Sequence, residues 1–320
     1  MKTILVSGAS GIVGYGVLRS LRSSGLDLRL IGTTIYDNTA AEAFSDIFEK
    51  APATNDESYI PWLINTIEKY QVDMIIPGIE ADLYKWNEHS ARIKATGASI
   101  LLNNPELVSI CQDKWLFYES LSQINTSCVI KTSLNNDYDW LREQLGETLL
   151  LKPRKGFASK GIVKITDEKT FNLHKSLIGD VLMVQPFIGT DQEEYTSTAF
   201  GDGQGGFSAR MTMRRNLSRE GFTEKAEVIW PDELSGIISD LCAHFKPLGP
   251  TNFQFRKHNG VYMLLEINPR ISSSTSIRTA FGYNESAMSV NFYLHNITPT
   301  QPTIRQGKAI RYTEDFIFSA

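Results

Sequence analysis

The sequence is poor in the residues that build extracellular, metal-clustering or nucleic-acid-binding proteins. Three cysteines stand in 320 residues, Cys111, Cys128 and Cys242, odd in number and far apart. That spacing suggests neither a disulfide framework nor a zinc knuckle, and reduced, buried thiols are the simpler reading. The five histidines (His89, His174, His244, His258, His295) show no metal-ligand spacing. Basic residues do not exceed acidic ones: 32 Lys and Arg stand against 36 Asp and Glu, a formal charge of −4. A nucleic-acid partner is therefore disfavoured, because such binders carry a basic domain or stripe. No apolar run approaches the ~18 residues of a membrane span. The opening, Met1-Lys2 and then a short apolar strand into glycines, lacks a signal-peptide cleavage pattern, so the expected location is the cytoplasm.

What is present is ordinary for a globular chain: 42% hydrophobic and 21% charged residues, with 23 Gly and 12 Pro. The length implies two domains, or one with a large insertion. Thr3-Ile4-Leu5-Val6 reads as a strand, and Val13, Val17, Leu18 and Leu21 give the next segment a helical stripe. Leu28 to Ile31 and Val72 to Ile76 read as further strands, with helical spacing over Ile60 to Tyr70 between them. Short buried strands alternating with helices predict a parallel sheet, over about residues 1–108. Gly8-Ala9-Ser10-Gly11-Ile12-Val13-Gly14 has the strand-to-helix context of a dinucleotide loop. Such a loop needs an acid about 20 positions on, at the tip of the second strand. That zone reads Ile31-Gly32-Thr33-Thr34-Ile35-Tyr36-Asp37, with the acid late. A tight structural turn is the better reading, with the loop holding part of another substrate as a second. A nicotinamide-dependent oxidoreductase or epimerase stays as an alternative.

After a helix near Asn104-Pro105 the pattern changes to a mixed α+β portion rich in strands, among them Thr148 to Lys152, Val181 to Val184, Glu194 to Phe200 and Asn252 to Arg256. The strongest chemical signal is Val261-Tyr262-Met263-Leu264-Leu265-Glu266-Ile267-Asn268-Pro269-Arg270. Residues two apart on a strand share a face, so Glu266 and Asn268 point one way, and Leu265 and Ile267 are expected in the core. A carboxylate beside an amide oxygen at a strand end suits Mg²⁺. Arg270 can bind phosphate oxygens. Gln254, between Phe253 and Phe255, is the natural third oxygen ligand. Register tests this. A two-residue Asn259-Gly260 turn without a bulge would set Gln254 opposite Leu265, on the wrong face. A three-residue loop over 258–260 would set it diagonal to Glu266, and that odd-length loop is predicted.

Taken together, Gln254, Glu266-Ile267-Asn268-Pro269-Arg270-Ile271-Ser272-Ser273-Ser274 and Thr279-Ala280-Phe281-Gly282-Tyr283 resemble the ATP-grasp superfamily. The nearest likeness is to the ATP-grasp units of the carbamoyl-phosphate synthase large subunit and to stand-alone carboxylate–amine ligases. The resemblance implies that Gln254, Glu266 and Asn268 hold Mg²⁺, with Mn²⁺ as a substitute, and that Arg270 contacts nucleotide phosphates. Lys114, in Asp113-Lys114-Trp115, resembles the first nucleotide lysine, and Lys152, in Leu151-Lys152-Pro153, the second. Arg154 to Ile162 resembles the loop closing over the phosphates, through Gly156, Ser159 and Gly161. Lys155 and Lys160 are extra cations there. Gln185-Pro186-Phe187-Ile188 resembles the hinge that reads adenine, and Glu194 the ribose acid, with Glu193 as a competitor. One departure is Thr198, where relatives often have Asp. Arg210 to Arg215 and Gly221 to Lys225 resemble a region near the reaction centre, with a charged surface strand pair as the rival reading. Pro77-Gly78-Ile79-Glu80-Ala81-Asp82 lies where substrate could be lined.

The implied fold is a Rossmann-like domain (1–108) followed by a two-lobed ATP-grasp module (109–180 and 181–320). The implied activity is ATP- and Mg²⁺-dependent ligation of a small-molecule carboxylate to an amine, with Lys152 and Arg270 catalytic. A homodimer is compatible with it, and no nucleic-acid or membrane partner is expected. Phosphorylation of bicarbonate or carbamate, and ATP binding by a non-catalytic regulator, also stay open. The length leaves room for one grasp module only.

Overall fold

The computed structural model describes residues 1–37, 39–124, 126–156 and 161–317. Ser159 and Lys160 of the small-residue loop lie outside the described residues. Five strands, β1 (Lys2–Val6), β2 (Leu28–Thr34), β3 (Ile47–Lys50), β4 (Met74–Ile76) and β5 (Ser99–Ile100), form one parallel sheet in the order β3-β2-β1-β4-β5. The helices α1 (Ile12–Arg22), α2 (Tyr59–Tyr70), α3 (Glu80–Glu88) and α4 (Ser90–Lys94) connect them. Side chains alternate along a strand, so both sheet faces need cover. Ile4, Val6, Met74 and Ile76 pack with Val17, Leu18 and Leu21 of α1 on one face. Leu5, Ile31 and Ile75 pack with Ile60, Leu63, Ile67 and Trp86 on the other.

The glycine loop is a close-packed turn. Gly8 has φ +55. A Cβ on Gly14 would lie 2.4 Å from the Gly8 carbonyl oxygen, and one on Gly78 only 2.1 Å from that of Ser7. The turns after β1 and β4 thus touch backbone to backbone, which brings Gly11, Ile12, Val13, Ile79 and Glu80 to one cleft.

The middle of the chain holds α5 (Pro105–Cys111), α6 (Lys114–Leu121), α7 (Tyr138–Leu145), β6 (Leu149–Pro153), β7 (Val163–Ile165), α8 (Glu168–His174) and β8 (Leu182–Pro186). Its small sheet is antiparallel in the order β7-β6-β8. Two expected boundaries move. A division at 180/181 would cut β8 from its partner β6, so this lobe runs to Pro186. A division at 108 falls inside α5, whose Leu107 packs in the core of the last lobe. An apolar run does not reveal which sheet a strand joins, so neither boundary is visible in local pattern.

The last lobe contains β9 (Glu194–Asp202), β10 (Phe207–Leu217), β11 (Thr223–Ile229), α9 (Asp232–Phe245), β12 (Leu248–His258), β13 (Val261–Asn268), α10 (Thr275–Ala280), α11 (Glu285–His295) and β14 (Lys308–Ile310). Its sheet order is β13-β12-β9-β10-β11-β14. Leu234, Ile238, Leu241 and Phe245 of α9 cover one face, against Phe253, Phe255, Leu264 and Ile267. The last helices also return to the first sheet: Ile271 and Val290 complete the α1 cluster, and Asn284 Nδ2 donates to the Ser20 carbonyl at 2.8 Å.

The β12–β13 hairpin departs from expectation. His258 pairs with Val261, so the turn has two residues, Asn259 (φ +50) and Gly260 (φ +84), both left-handed as a type I′ turn requires. The predicted odd-length loop is absent. A β-bulge does its work instead: Phe255 pairs with Leu264 but Gln254 with Glu266, leaving Leu265 as the extra residue. Gln254 therefore sits directly across from Glu266. The bulge also reverses the expected burial of Leu265. Tyr262, Leu264 and Ile267 enter the core, while Leu265 turns to the cleft.

Gly78→Ala should cost about 1–3 kcal/mol by overpacking against the Ser7 carbonyl. Urea unfolding of the variant would check this, and an unchanged midpoint would contradict the backbone contact.

Candidate active site

All three parts of the chain meet at a cleft of about 680 Å³. One wall carries two lysines. Asp113 caps α6 by accepting from the Trp115 N–H at 2.9 Å, which places Lys114 at the first helical position. Asp113 also pairs with Arg154 at 2.8 Å, and the Lys114 N–H donates to the Arg154 carbonyl at 2.8 Å. These ties fix Lys114 against the end of β6, two residues past Lys152. Lys114 Nζ donates to the Gly156 carbonyl at 2.7 Å. Burial pushes the Lys152 ammonium down to about 8; Glu266 opposes this, and the charge of Lys114 adds to it. Two cations facing one desolvated space form a site that an anion would relieve.

The facing wall is the β12–β13 hairpin. Glu266 Oε1 accepts from Gln254 Nε2 at 2.7 Å and from Asn268 Nδ2 at 3.0 Å. The amide oxygens accept from guanidinium groups, Gln254 from Arg215 and Asn268 from Arg270 at 3.0 Å. The three predicted ligands are thus brought together by the bulge. Among the described residues no group of three His, Cys, Asp or Glu side chains is placed to hold a metal ion. One carboxylate and two amides make too poor a cage to hold a divalent ion alone. They fit a Mg²⁺ ion that arrives with phosphates, since Mg²⁺ is usually held by one or two carboxylates plus substrate oxygens. Arg270 also pairs with Glu80 at the start of α3, so the first sheet and the last lobe meet at this guanidinium.

At the other end, Gln185, Phe187 and Ile188 line the cleft. Gln185 Nε2 donates to Thr132 Oγ1 at 2.9 Å, while its Oε1 is buried and finds no donor among the described residues. An acceptor left over beside a half-exposed aromatic ring suits a planar base with an amino group. Glu194 reaches the cleft and Glu193 does not; Glu193 instead accepts from Tyr195. Both Glu194 oxygens are engaged, one by Arg215 at 2.9 Å and one by Arg256 at 2.7 Å. Gly161 lies against the Pro153 ring, off the cleft wall, and Lys155 is exposed.

Sequence reasoning missed these arginines as individuals. Arg214 and Arg215 divide the two readings of their segment between them. Arg214 pairs with Glu227 on the surface at 2.7 Å, and Arg215 is buried in the cleft. Strand alternation was the signal that could have separated them. Thr198, the departure from the family pattern, donates to Glu285 at 2.7 Å. Glu285 pairs at 2.9 Å with Arg278, which also donates to Ser272 and Thr196. A carboxylate from α11 thus stands beside Thr198 of β9 and balances the buried Arg278 charge. As for the acid that a nicotinamide site at the glycine loop would need, Asp37 pairs with Lys50 at the surface.

Residues 181–316 match the family described as ATP-grasp in the biosynthetic pathway with Ter operon. The carbamoyl phosphate synthase large chain of Methanothrix thermoacetophila is 25% identical over 84% of this chain, and that of Methanosarcina barkeri 23% over 90%. The chain spans about a quarter of the length of these curated relatives, 26% and 29%. Among solved structures, N5-carboxyaminoimidazole synthetase from Staphylococcus aureus complexed with ADP superposes with TM-score 0.74 at 16% identity, over 95% of this chain and 80% of its own. Biotin carboxylase from Campylobacter jejuni in a β-γ-ATP complex gives 0.73 at 17%, over 96% and 74%. L-amino acid ligase from Bacillus licheniformis gives 0.65 at 17%, over 92% and 74%. The fold is the mixed α/β ATP-grasp fold, and the match to an ATP-grasp family covers residues 181–316 of the chain.

Glu285→Gln would leave the buried Arg278 charge unpaired, at an expected cost of about 3–5 kcal/mol. Adding Thr198→Asp should recover part of that loss. Urea unfolding of the single and double variants checks both, and a double variant no better than the single would refute the substitution of one carboxylate for the other.

Proposed function

We propose that this protein is an ATP- and Mg²⁺-dependent ligase that joins a small-molecule carboxylate to an amine. The observation that supports this most is the convergence of Lys114, Lys152, the Gln254–Glu266–Asn268 set and Arg270, from three separated stretches of chain, on one cleft. In this reading the first sheet is a Rossmann-like domain whose Gly11–Val13 and Ile79–Glu80 turns form the substrate end. The phosphate end is Lys114, Lys152 and the Gly156 loop, and the base end is Gln185, Phe187 and Ile188. Glu194 faces the ribose through the array it forms with Arg215 and Arg256. A location in the cytoplasm suits the three free thiols.

The chemistry follows from charge and position. A carboxylate oxygen of the acid attacks the γ-phosphorus, the β–γ bridge breaks, and ADP leaves. The amine then attacks the carbonyl carbon of the acyl phosphate; phosphate departs, and the amine proton goes to solvent. Lys152 and Arg270 hold the phosphoryl oxygens between them and offset the charge of the group in flight. Bound Mg²⁺ would be held by Glu266, Gln254 and Asn268 and would supply Lewis-acid neutralisation of the same oxygens. Phosphoryl transfer asks mainly for positioning and charge, and the cleft offers both.

Wild-type protein with MgATP should release ADP only when a particular carboxylate is supplied, in a screen of amino acids and other small acids. Glu266→Gln should abolish that release. Persistent turnover in Glu266→Gln would overturn the site, whereas binding of ATP without turnover on any acid would favour a regulator.

Lys152 adds a pH signature. Its charged form, present below about pH 8 in the absence of phosphate, is the one that binds an anion. Affinity for MgATP should therefore fall as pH rises from 7 to 9. Lys152→Arg should flatten that dependence, because guanidinium stays charged throughout. Titrations across that range test it, and parallel profiles for both proteins would rule Lys152 out as the cause.

A further inference from the structure

The hinge between the two lobes, 187–191, is tied to β12 by contacts that the phosphate and metal chemistry does not use. The Gly189 N–H donates to His258 Nδ1 at 3.0 Å. Gly189 is left-handed, φ +58, and a Cβ there would lie 2.5 Å from the Lys257 carbonyl oxygen and 2.7 Å from Arg256 Cγ. Arg256 reaches past it to Asp191 at 3.1 Å and to Glu194 at 2.7 Å. The hinge backbone therefore rests directly on the end of β12.

Gln254, Arg256 and His258 stand two residues apart on this strand, so they share one face. Each has a different partner: Gln254 reaches Glu266 and Arg256 reaches Glu194 within the cleft, and His258 reaches the hinge just beyond the cleft-lining Ile188. The strand is paired with β9 as far as Arg256 and with β13 as far as His258, so it cannot slide independently. Four residues at about 3.3 Å each set a spacing of about 13 Å between the metal-facing end and the hinge end.

We propose that His258 is a positioning residue for the base end of the cleft. By accepting the Gly189 N–H, its Nδ1 fixes the path of the Phe187–Ile188 backbone, and so the distance from the base-reading groups to Lys152 and Glu266. The imidazole touches no reacting atom. Its effect falls on which base is accepted and how tightly. This inference rests on the reading that the cleft binds ATP.

The test is equilibrium binding of MgATP and MgGTP, by calorimetry, to wild type, His258→Ala and His258→Asn. Asn can offer Oδ1 close to where Nδ1 lies. His258→Ala should weaken MgATP about tenfold, the scale of one well-placed hydrogen bond, and leave MgGTP nearly unchanged, so the preference for ATP falls. His258→Asn should return MgATP affinity to within about threefold of wild type, the residual cost of an imperfectly placed acceptor. Equal weakening of both nucleotides, unchanged MgATP affinity in His258→Ala, or no recovery in His258→Asn would each overturn the positioning role while leaving ATP binding intact. Wild type that binds neither nucleotide would overturn the ATP reading, and this inference with it.

Discussion

The register of the β12–β13 hairpin is the constraint on which the site depends. Strand side chains alternate with a period of two, so a shift of one residue moves a whole set of groups to the opposite face. The tight Asn259-Gly260 turn by itself would carry Gln254 away from Glu266. One unpaired residue, Leu265, restores the alignment. The hairpin thus combines a favourable two-residue turn with a facing pair of polar side chains, which neither a regular ladder nor the turn alone would provide. Bulges of this kind re-aim side chains next to active sites, and this one aims three.

Charge is the second organising feature. The cleft gathers Lys114, Lys152, Arg215, Arg256 and Arg270 against Glu80, Glu194 and Glu266. Each buried guanidinium has a carboxylate or amide oxygen close by, so the array is compatible with burial. The lysines on the facing wall form no ion pair among the described residues; Lys114 donates to the Gly156 carbonyl, and Lys152 is favoured by the charge of Glu266 and opposed by that of Lys114. The Arg278–Glu285 pair applies the same rule deeper in the core. It ties the segment just after Arg270, through Ser272, to the strand just after Glu194, through Thr196. Breaking such a pair is costly because the remaining charge has nowhere to go.

Gln254, Glu266, Asn268 and Arg270 could be read from residue types and spacing along their strands, whereas Lys114, Lys152, Gln185 and Glu194 were indicated only by resemblance to a family. Glu266 and Asn268 share a face, as their spacing implies. What could not be read depends on long-range pairing. Leu265 looks like its apolar neighbours, and nothing local marks it as the extra residue. Val181 to Val184 reads as a strand, but no local feature says that it joins β6. Arg214 and Arg215 have the same chemistry and differ only in the face they occupy. The strands β3 and β5 are too short to show a pattern. The glycine loop was legible as a turn, and its packing against Gly78 comes from a residue more than sixty positions away.

The cover that α10 and α11 place over the first sheet affects how the chain can fold as it is made. Strands β1 to β5 are all synthesised within the first hundred residues, yet one face of their sheet takes Ile271 and Val290 as core. Until those residues emerge from the ribosome, the apolar side chains around α1 lack part of their cover. The amino-terminal third therefore cannot reach its final packing as an autonomous unit during synthesis, and its completion waits for the last helices. Contacts spanning this much sequence slow folding and leave apolar surface exposed in the meantime. The same closure makes docking of the carboxy-terminal helices the event that brings Arg270 to Glu80, so the cleft and the first core are completed together.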